Sequence, residues 1–293
     1  MLPPRFVRDT MYGILDKAIT SDLEPADELI KFNFRNLTYI EPVGITILSN
    51  LFQWLKKRNV RVQTVTPTEI KGGRNCPLTY LDDSMFFKKY IKKTLTPHAA
   101  VRPTTRPLEH VTYANSYQWL PSVFIPWLSG QLGVGVNSLD DIKVSIEEIF
   151  NNINDHSSEN IGCIYAQHYP NINRLKISIS DFGIGIPGSI QRKYVLSDSE
   201  ALMKSIQEGF STESTPGNRG AGLNNLLTSI VKFNQGTVNI HSNKGILECN
   251  YGNNDIQASS YTAPGFYPGT LIEVVLNTNN IYENEEEDFE WFL

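Results

Sequence analysis

The sequence predicts a mixed α/β protein, with a small N-terminal α/β domain followed by a larger α/β domain. Three observations predict this: a strand–helix–strand pattern in the first third, an irregular interval at residues 94–107, and renewed helical and strand periodicity after it. The chain has 293 residues, which is long enough for two domains. Its composition, 40% hydrophobic and 19% charged, is typical of globular proteins.

The first third contains a βαβ unit. Residues 30–34 and residues 60–65 alternate apolar and polar side chains, as half-buried strands do. Between them, apolar residues recur at helical spacing and predict one apolar stripe: Ile45, Ile47, Leu48, Leu51, Phe52 and Leu55. The helix ends at basic residues, which suit the negative end of its dipole. Such a unit implies two parallel strands covered by the helix.

The interval at residues 94–107 is interpreted as the linker between domains, because it holds three prolines and little apolar periodicity. The predicted units are a domain at residues 1–100, a domain at residues 101–282 and a tail at residues 283–293. The tail is acidic and ends in aromatic and aliphatic residues. A frayed, solvated terminus and a short docking peptide both explain that composition.

The net charge and the cysteine content of the chain argue against several classes of protein. The formal net charge of -5 argues against non-specific electrostatic binding to nucleic acid or to an anionic membrane. The three cysteines and five histidines show neither a disulfide framework nor a zinc-binding spacing. The N-terminus lacks the apolar stretch of a signal peptide, and no apolar run approaches the ~20 residues that span a bilayer. These features predict a cytoplasmic protein.

A polar stripe on a predicted helix is the first candidate for chemistry. Apolar residues recur at helical spacing in the segment VSIEEIFNNINDH and predict a core-facing stripe: Ile146, Ile149, Phe150 and Ile153. Glu148, Asn152 and His156 share another stripe. Asn152 offers a neutral oxygen to hydrated Mg²⁺, and Glu148 can orient or deprotonate a nucleophile. A solvated helix face explains the same spacing, and Glu147 with Asn151 forms a second such pair.

An acidic strand end is the second candidate. Residues 175–179 alternate as a strand with one buried face, and this strand runs into Asp181. Gly183 and Gly185 follow, which lets the backbone turn sharply and approach a planar ligand closely. Asp181 can then accept a hydrogen bond from the exocyclic amine of adenine. A simple turn capped by Asp181 is the alternative interpretation.

A glycine-rich loop is the third candidate. Gly217, Gly220 and Gly222 precede a helical pattern that begins at Leu223. Free amides at the start of a helix form a site for phosphate, although this glycine pattern alone is a common false positive. The polar stretch at residues 208–212 is interpreted as part of a lid that closes over the phosphates.

Taken in order, these segments resemble the motifs of the GHKL superfamily of ATP-binding proteins, whose nucleotide-binding domain is the Bergerat fold. The resemblance covers residues 139–277 and consists of Glu-x-x-x-Asn-x-x-Asp-His, DxGxGI, GxxGxGL and a late Gly269-Thr270 pair that enters the last strand. The superfamily includes histidine kinases, anti-sigma-factor serine kinases and gyrase B subunits. The spacing of the histidine after the asparagine resembles that of anti-sigma-factor kinases and histidine kinases.

The resemblance implies a role for each matching residue, with ATP and Mg²⁺ as cofactors. Asn152 binds Mg²⁺, and Glu148 positions or activates water or a substrate hydroxyl. Asp181 reads adenine, supported by Thr270 from beside the base. The remaining positions lie in the two loops that approach the nucleotide: Gly183, Gly185 and Ile186 in the first, and Gly217, Gly220, Gly222 and Leu223 in the second.

The N-terminal third resembles the STAS fold of anti-sigma-factor antagonists over residues 30–91. In that family a serine directly before a glycine accepts phosphate from a GHKL kinase, whereas this chain has Val43 before Gly44. Because valine has no hydroxyl, phosphorylation at that position is chemically excluded. The resemblance therefore implies a fixed docking or dimerisation surface, and a homodimer is one expectation.

Two functions stay open on the sequence. One is an ATPase-driven conformational switch that acts on a protein partner, and the other is a protein serine/threonine kinase of the anti-sigma type. A histidine kinase is disfavoured, because nothing before residue 139 resembles the helical hairpin that carries its phosphoacceptor histidine. A type II topoisomerase is disfavoured by size.

Overall fold

The computed structural model describes residues 2–111, 118–156, 161–210 and 222–281, with the side chains of residues 152–156 and 222 left aside. The helices in these ranges are α1 (Tyr12–Ala18), α2 (Pro42–Lys57), α3 (Pro77–Asp83), α4 (Phe86–Ile91), α5 (Ile125–Leu132), α6 (Asp140–His156), α7 (Gly185–Gln191), α8 (Asp198–Ser205) and α9 (Gly222–Leu227). The strands are β1 (Arg5–Phe6), β2 (Leu29–Asn33), β3 (Tyr39–Ile40), β4 (Arg61–Val65), β5 (Thr105–His110), β6 (Ile161–Tyr169), β7 (Arg174–Phe182), β8 (Thr237–Gly252) and β9 (Asp255–Asn277). The architecture is mixed α/β, with small parallel sheets and helices beside a five-stranded antiparallel sheet.

The predicted βαβ unit is confirmed. β2 and β4 pair in parallel, with Leu29 opposite Arg61 and Asn33 opposite Val65. α2 lies between them in the chain and begins at Pro42, ahead of the predicted apolar stripe. Proline fits the first turn of a helix, because the amide that it lacks has no partner within the helix there.

Helix α2 is buried on more sides than its apolar stripe predicts. Thr46, Ser49 and Asn50 are polar residues of this helix, and each is 0% exposed. The reason is that α2 packs against β6 and β7 of the large sheet as well as against the N-terminal strand β4. Ser49 Oγ lies 2.6 Å from the hydroxyl of Tyr90, which supplies the partner that a buried hydroxyl requires.

The five-stranded sheet has the order β5-β6-β7-β9-β8, and each pair of neighbours is antiparallel. Alternate residues of the central strand β7 point to opposite faces. Ile177 and Ile179 join the core with the helices on one face, called here the inner face. Ser178 and Ser180 contact α2 on the other, the outer face. The sheet is therefore covered on both sides.

Helices α5, α6, α8 and α9 contribute to the inner-face core. The predicted apolar stripe of α6 is confirmed at three positions, since Ile146, Ile149 and Phe150 are each 2% exposed. Ile153, the fourth predicted position, lies outside the described side chains. α9 packs against α6, which places the helix that follows the glycine-rich loop beside the helix that carries Glu148.

The predicted linker at residues 94–107 is wrong in its last three residues, because Thr105–His110 forms β5 and pairs antiparallel with β6. β5 is an edge strand, where a proline such as Pro107 is tolerated because one side of the strand needs no partner. Proline content therefore misled the prediction at this position.

The upstream part of that interval has no helix or strand but is anchored to α3. The carboxylate of Asp82 accepts hydrogen bonds from the backbone amides of Leu95 and Thr96 at 2.8–3.0 Å. Arg102 Nε donates to Asp83 at 2.9 Å. The segment is thus fastened along the N-terminal helices by buried carboxylates.

Strands β8 and β9 form a long hairpin that sequence periodicity did not reveal. Its turn contains Asn253 and Asn254, both in the left-handed region with φ of 52° and 62°. Asparagine adopts this conformation more readily than most side chains, and the type I′ two-residue hairpin turn requires it at both positions. β9 pairs with both β7 and β8, so it brings Thr270 into the middle of the sheet.

In the parts of the chain that the structure describes, no helix combines the length and the apolar character needed to cross a bilayer.

Candidate functional site

Asp181 lies near the end of β7, directly opposite Thr270 of β9. Its Oδ1 accepts a hydrogen bond from the backbone amide of Thr270 at 3.1 Å, and the residue is only 6% exposed. The structure therefore brings together two residues that the sequence singled out in segments far apart along the chain.

Ser242 of β8 completes the surroundings of this pair. Its hydroxyl donates to the carbonyl of Gly269 at 2.6 Å, accepts from the amide of Ile186 at 3.1 Å, and lies 3.0 Å from Thr270 Oγ1. Sequence reasoning missed Ser242, because a serine inside a strand carries no signal of its own. We call Asp181, Gly185, Ser242 and Thr270 the Asp181 corner.

Gly185 is the position in this corner where only glycine fits. Its φ is +72°, and a β-carbon built there would lie 2.6 Å from Ser242 Oγ, 2.8 Å from Asn243 Oδ1 and 2.9 Å from the carbonyl of Gly269. Both the left-handed backbone and the close approach exclude a side chain. The predicted sharp turn after Asp181 is confirmed at Gly185.

The electrostatics of Asp181 are unusual for a carboxyl group. Burial raises the pKa of Asp181 from 3.8 to about 7, because desolvation penalises the charged form. The hydrogen bond from the Thr270 amide opposes this rise without cancelling it. A hydrogen-bond donor bound beside the carboxyl would favour its ionised form, and shifts of this kind are frequent at functional sites.

Helix α6 carries the predicted catalytic stripe, but the structure describes only some of its side chains. Glu147 and Glu148 are both partly buried, so burial favours neither of the two registers. Asn152 and His156 belong to α6, but their side chains lie outside the described residues. The pairing of Glu148 with Asn152 around Mg²⁺ therefore stays a prediction.

The predicted phosphate loop is described only where it enters α9. Gly217 and Gly220 lie outside the described residues, whereas Gly222 is the first residue of α9. Leu223 is partly buried and packs against the inner-face core. The predicted lid is described up to residue 210, and its last two residues lie outside.

A polar seam joins α2 to the strand that carries Asp181. Thr46 Oγ1 lies 2.7 Å from Ser178 Oγ, and Asn50 Nδ2 donates to Ser180 Oγ at 2.7 Å. Ser180 also hydrogen-bonds the hydroxyl of Tyr267. The seam lies directly behind the Asp181 corner, because Ser180 precedes Asp181. Alternating serines in a strand are typical of a solvated face, so this contact could not be predicted from the sequence pattern.

Cys163 closes the seam from β6. Its thiol donates to Asn50 Oδ1 at 3.1 Å and is fully buried. Burial raises the pKa of Cys163 to about 12, so the thiol stays protonated and unreactive at neutral pH. Its role here is to pack and to satisfy Asn50.

Val43, which the predicted resemblance to the STAS fold aligns with a phosphoacceptor serine, is 0% exposed in the first turn of α2. The following glycine is tightly enclosed: a β-carbon on Gly44 would lie 2.8 Å from Ile40 Cγ1 and 2.9 Å from the carbonyl of Phe6. Val43 and Gly44 are therefore inaccessible to a kinase active site, and Val43 also lacks a hydroxyl.

Among the described residues, no group of three or more His, Cys, Asp and Glu side chains is arranged to hold a metal ion. All three cysteines are free thiols.

Comparison of the chain with models of known protein families finds no match. Comparison with curated proteins likewise finds no match. The resemblance to the GHKL superfamily and to the STAS fold therefore rests on the motifs quoted above.

Proposed function

We propose that the chain is a Mg-ATP-binding protein of the GHKL type that acts as an ATPase-driven conformational switch on a protein partner in the cytoplasm. The observation that carries this proposal is the Asp181 corner, where a buried carboxyl stands at a strand end beside a glycine that no side chain can replace. Such a corner suits a flat heterocycle that donates a hydrogen bond. A Bergerat fold for the second domain and a STAS-like fold for the first belong to the same proposal.

Asp181 is suited to recognise adenine through a hydrogen bond. The ionised carboxylate would accept from the exocyclic amine of adenine, while Thr270 lies beside it in the sheet. Keeping a buried carboxylate ionised is costly without a donor, and its raised pKa reflects that cost. A ligand that supplies the donor therefore recovers part of this free energy, whereas a ligand with an acceptor in that place would not.

The phosphate half of the site is proposed from the sequence pattern. Asn152 would hold Mg²⁺, and Glu148 would orient or deprotonate the attacking water. The amides of Gly217, Gly220 and Gly222 would receive the phosphates at the start of α9. ATP supplies the transferable phosphoryl group and Mg²⁺ supplies charge stabilisation, as in other phosphoryl transfers.

The polar seam supports a switch over a kinase. Asn50 of α2 donates to Ser180, and Ser180 is the neighbour of Asp181 in the chain. A displacement of Asp181 on nucleotide binding would therefore be transmitted to the N-terminal domain through a contiguous chain of packed polar groups. Val43 is buried and has no hydroxyl, so the first turn of α2 offers no site for phosphorylation, which favours a domain that moves over one that is phosphorylated.

A protein serine/threonine kinase of the anti-sigma type is the second candidate, favoured by the Glu-x-x-x-Asn-x-x-Asp-His pattern. Incubation with γ-labelled ATP separates the two. The switch releases free phosphate from the purified chain alone, whereas the kinase transfers label to a protein that co-purifies with it. Label on such a partner would contradict the switch hypothesis and would support the kinase hypothesis.

Glu148→Ala is expected to lower ATP turnover by roughly 10²–10⁴-fold while ATP binding changes little, because a general base contributes to the rate of the step rather than to affinity. The measurement is phosphate release together with calorimetric binding. Glu147→Ala is the matched control and should turn over ATP at the wild-type rate. The opposite result for the two variants would move the catalytic role to Glu147.

Val43→Ser is expected to acquire no phosphate from γ-labelled ATP, although it installs the missing hydroxyl. The position is fully buried, so a kinase active site has no access to it. The measurement is the label on residues 1–100, located by mass spectrometry after proteolysis. Strong label on the wild-type N-terminal domain would contradict the docking-surface interpretation and would point to the exposed Thr38, since Thr46 is as buried as Val43.

A further inference from the structure

A polar cleft of about 500 Å³ lies on the outer face of the sheet, apart from the Asp181 corner. Its walls come from the N-terminal segment, from the residue that precedes α2, and from β7, β8 and β9. The cleft shares no residue with the Asp181 corner. Its size is that of a site for a small organic molecule, for which volumes of about 300–1,000 Å³ are typical.

Glu273 of β9 lines this cleft, and one of its two carboxylate oxygens has no hydrogen-bond donor. The residue is 5% exposed, and its Oε2 accepts from Arg8 Nη1 at 3.3 Å. Its Oε1 is buried without a hydrogen-bond partner, since Lys176 Nζ stands 4.0 Å away, beyond hydrogen-bond distance. A buried acceptor that lacks a donor costs free energy, which a ligand with a donor would recover.

The cations in the lining are already engaged. Lys176 Nζ donates to Glu41 Oε1 at 3.0 Å. Arg8 pairs with Glu248 at 3.6 Å as well as with Glu273. The guanidinium of Arg5 lies 4.3 Å from the centre of the Tyr39 ring. The buried group of the lining that lacks a hydrogen-bond partner is therefore an acceptor, Glu273 Oε1.

The balance of charge in the lining of the cleft also favours a cationic ligand. Four carboxylates face three cations: Asp9, Glu41, Glu248 and Glu273 against Arg5, Arg8 and Lys176. The remaining polar lining is neutral and comes from Thr237, Asn239 and Asn250. An anion would meet four carboxylates, whereas a cation would add the missing positive charge and the missing donor.

We propose that this cleft binds a small organic cation, and that its ammonium or guanidinium group donates to Glu273 Oε1. Burial of Glu273 makes the interaction selective, because a buried carboxylate oxygen that lacks a hydrogen-bond donor gains more from a donating cation than an exposed oxygen does. The proposal does not depend on nucleotide binding.

The test is isothermal calorimetry of the full chain without nucleotide, using spermidine as the ammonium probe and free arginine as the guanidinium probe. Glutarate at equal ionic strength is the anionic control. We expect at least one cation to bind, and Glu273→Gln to weaken it by about 10-fold or more, because a charge-assisted hydrogen bond becomes a neutral one. Glu69→Gln, at an exposed position, should leave the affinity unchanged.

A second variant keeps the test decisive if Glu273→Gln folds poorly. Asn250→Arg places a tethered guanidinium at the exposed rim of the cleft and should abolish binding of either probe. Asn137→Arg adds the same charge at an exposed site elsewhere and should not. Absence of binding by both cations, equal binding by Glu273→Gln, or unchanged binding by Asn250→Arg would each overturn the proposal. Binding of a lysine-containing peptide alone would overturn it in favour of a protein side chain as occupant.

Discussion

Asp181→Asn is expected to lose most of the thermal stabilisation that Mg-ATP gives to the wild-type protein. A ligand at 100 times its Kd stabilises the native state by about 2.7 kcal/mol. Replacing the carboxylate removes a charge-assisted hydrogen bond worth about 1.5–3 kcal/mol, which lowers affinity by roughly 10- to 100-fold. The measurement is the melting temperature with and without Mg-ATP.

The geometry explains why asparagine cannot substitute. Asp181 Oδ1 already accepts from the amide of Thr270. If the asparagine oxygen keeps that bond, its amino group faces the amine of adenine, and two donors meet. If the side chain turns over, its amino group faces the Thr270 amide instead. Asp16→Asn, at an exposed position in α1, is the matched control. A wild-type shift in Asp181→Asn would show that Asp181 does not contact the base.

The raised pKa of Asp181 adds a pH signature to this prediction. The folded state holds a proton between pH 3.8 and about 7 that the unfolded chain has released, so Asp181 lowers the free energy of unfolding as pH rises through that window. ATP affinity should change in the opposite sense and increase as pH rises through about 7, because the ionised carboxylate is the acceptor. Asp181→Asn should flatten both trends. Glu148→Ala should keep them, which controls for titration of the phosphates of ATP.

Gly185→Ala is expected to destabilise the protein by roughly 2–5 kcal/mol and to abolish ATP binding, since left-handed backbone strain and overpacking both apply. The added methyl group would lie 2.6–2.9 Å from Ser242, Asn243 and Gly269. These neighbours hold the Asp181 corner together, so any adjustment displaces Thr270. The measurements are urea unfolding and calorimetric titration with Mg-ATP.

Gly188→Ala provides the matched control in the same helix. A β-carbon there would meet only Ile184 Cβ at 3.5 Å and Asn243 Nδ2 at 3.7 Å, and its φ is not in the left-handed region. Because alanine favours a helix over glycine by up to about 1 kcal/mol, this variant should be neutral or slightly stabilised. Equal behaviour of the two variants would show that the corner is not as closely packed as described.

Local periodicity was enough to predict the elements that carry the candidate residues. The stripe of α6 and the alternation of β7 follow directly from which side chains face the inner core. The β8–β9 hairpin was not among the predicted elements, although Asn253 and Asn254 at its turn suit a two-residue loop. Residues 105–107 of β5 were predicted wrongly as linker, because proline usually interrupts a strand but is tolerated at the edge of a sheet.

Contacts between segments that are distant along the chain could not be predicted from the sequence. Ser242 joins Thr270 and Ile186 only because β8 and β9 pair across a long hairpin. Likewise, Thr46 and Asn50 look like the solvated side of α2 until the helix is placed against β6 and β7. Neither arrangement leaves a periodic signal, since each depends on where a separate element packs.

Isothermal titration of the wild-type chain with Mg-ATP and with Mg-GTP tests the central claim most directly. The two nucleotides share their phosphates and ribose, so only the base distinguishes them. Adenine presents an amine to Asp181, whereas guanine presents a carbonyl oxygen at the same edge, and a carboxylate repels it. The account predicts binding of ATP and at least about 10-fold weaker binding of GTP, from the loss of one charge-assisted hydrogen bond. Equal affinity for the two, or no binding of ATP, would contradict it.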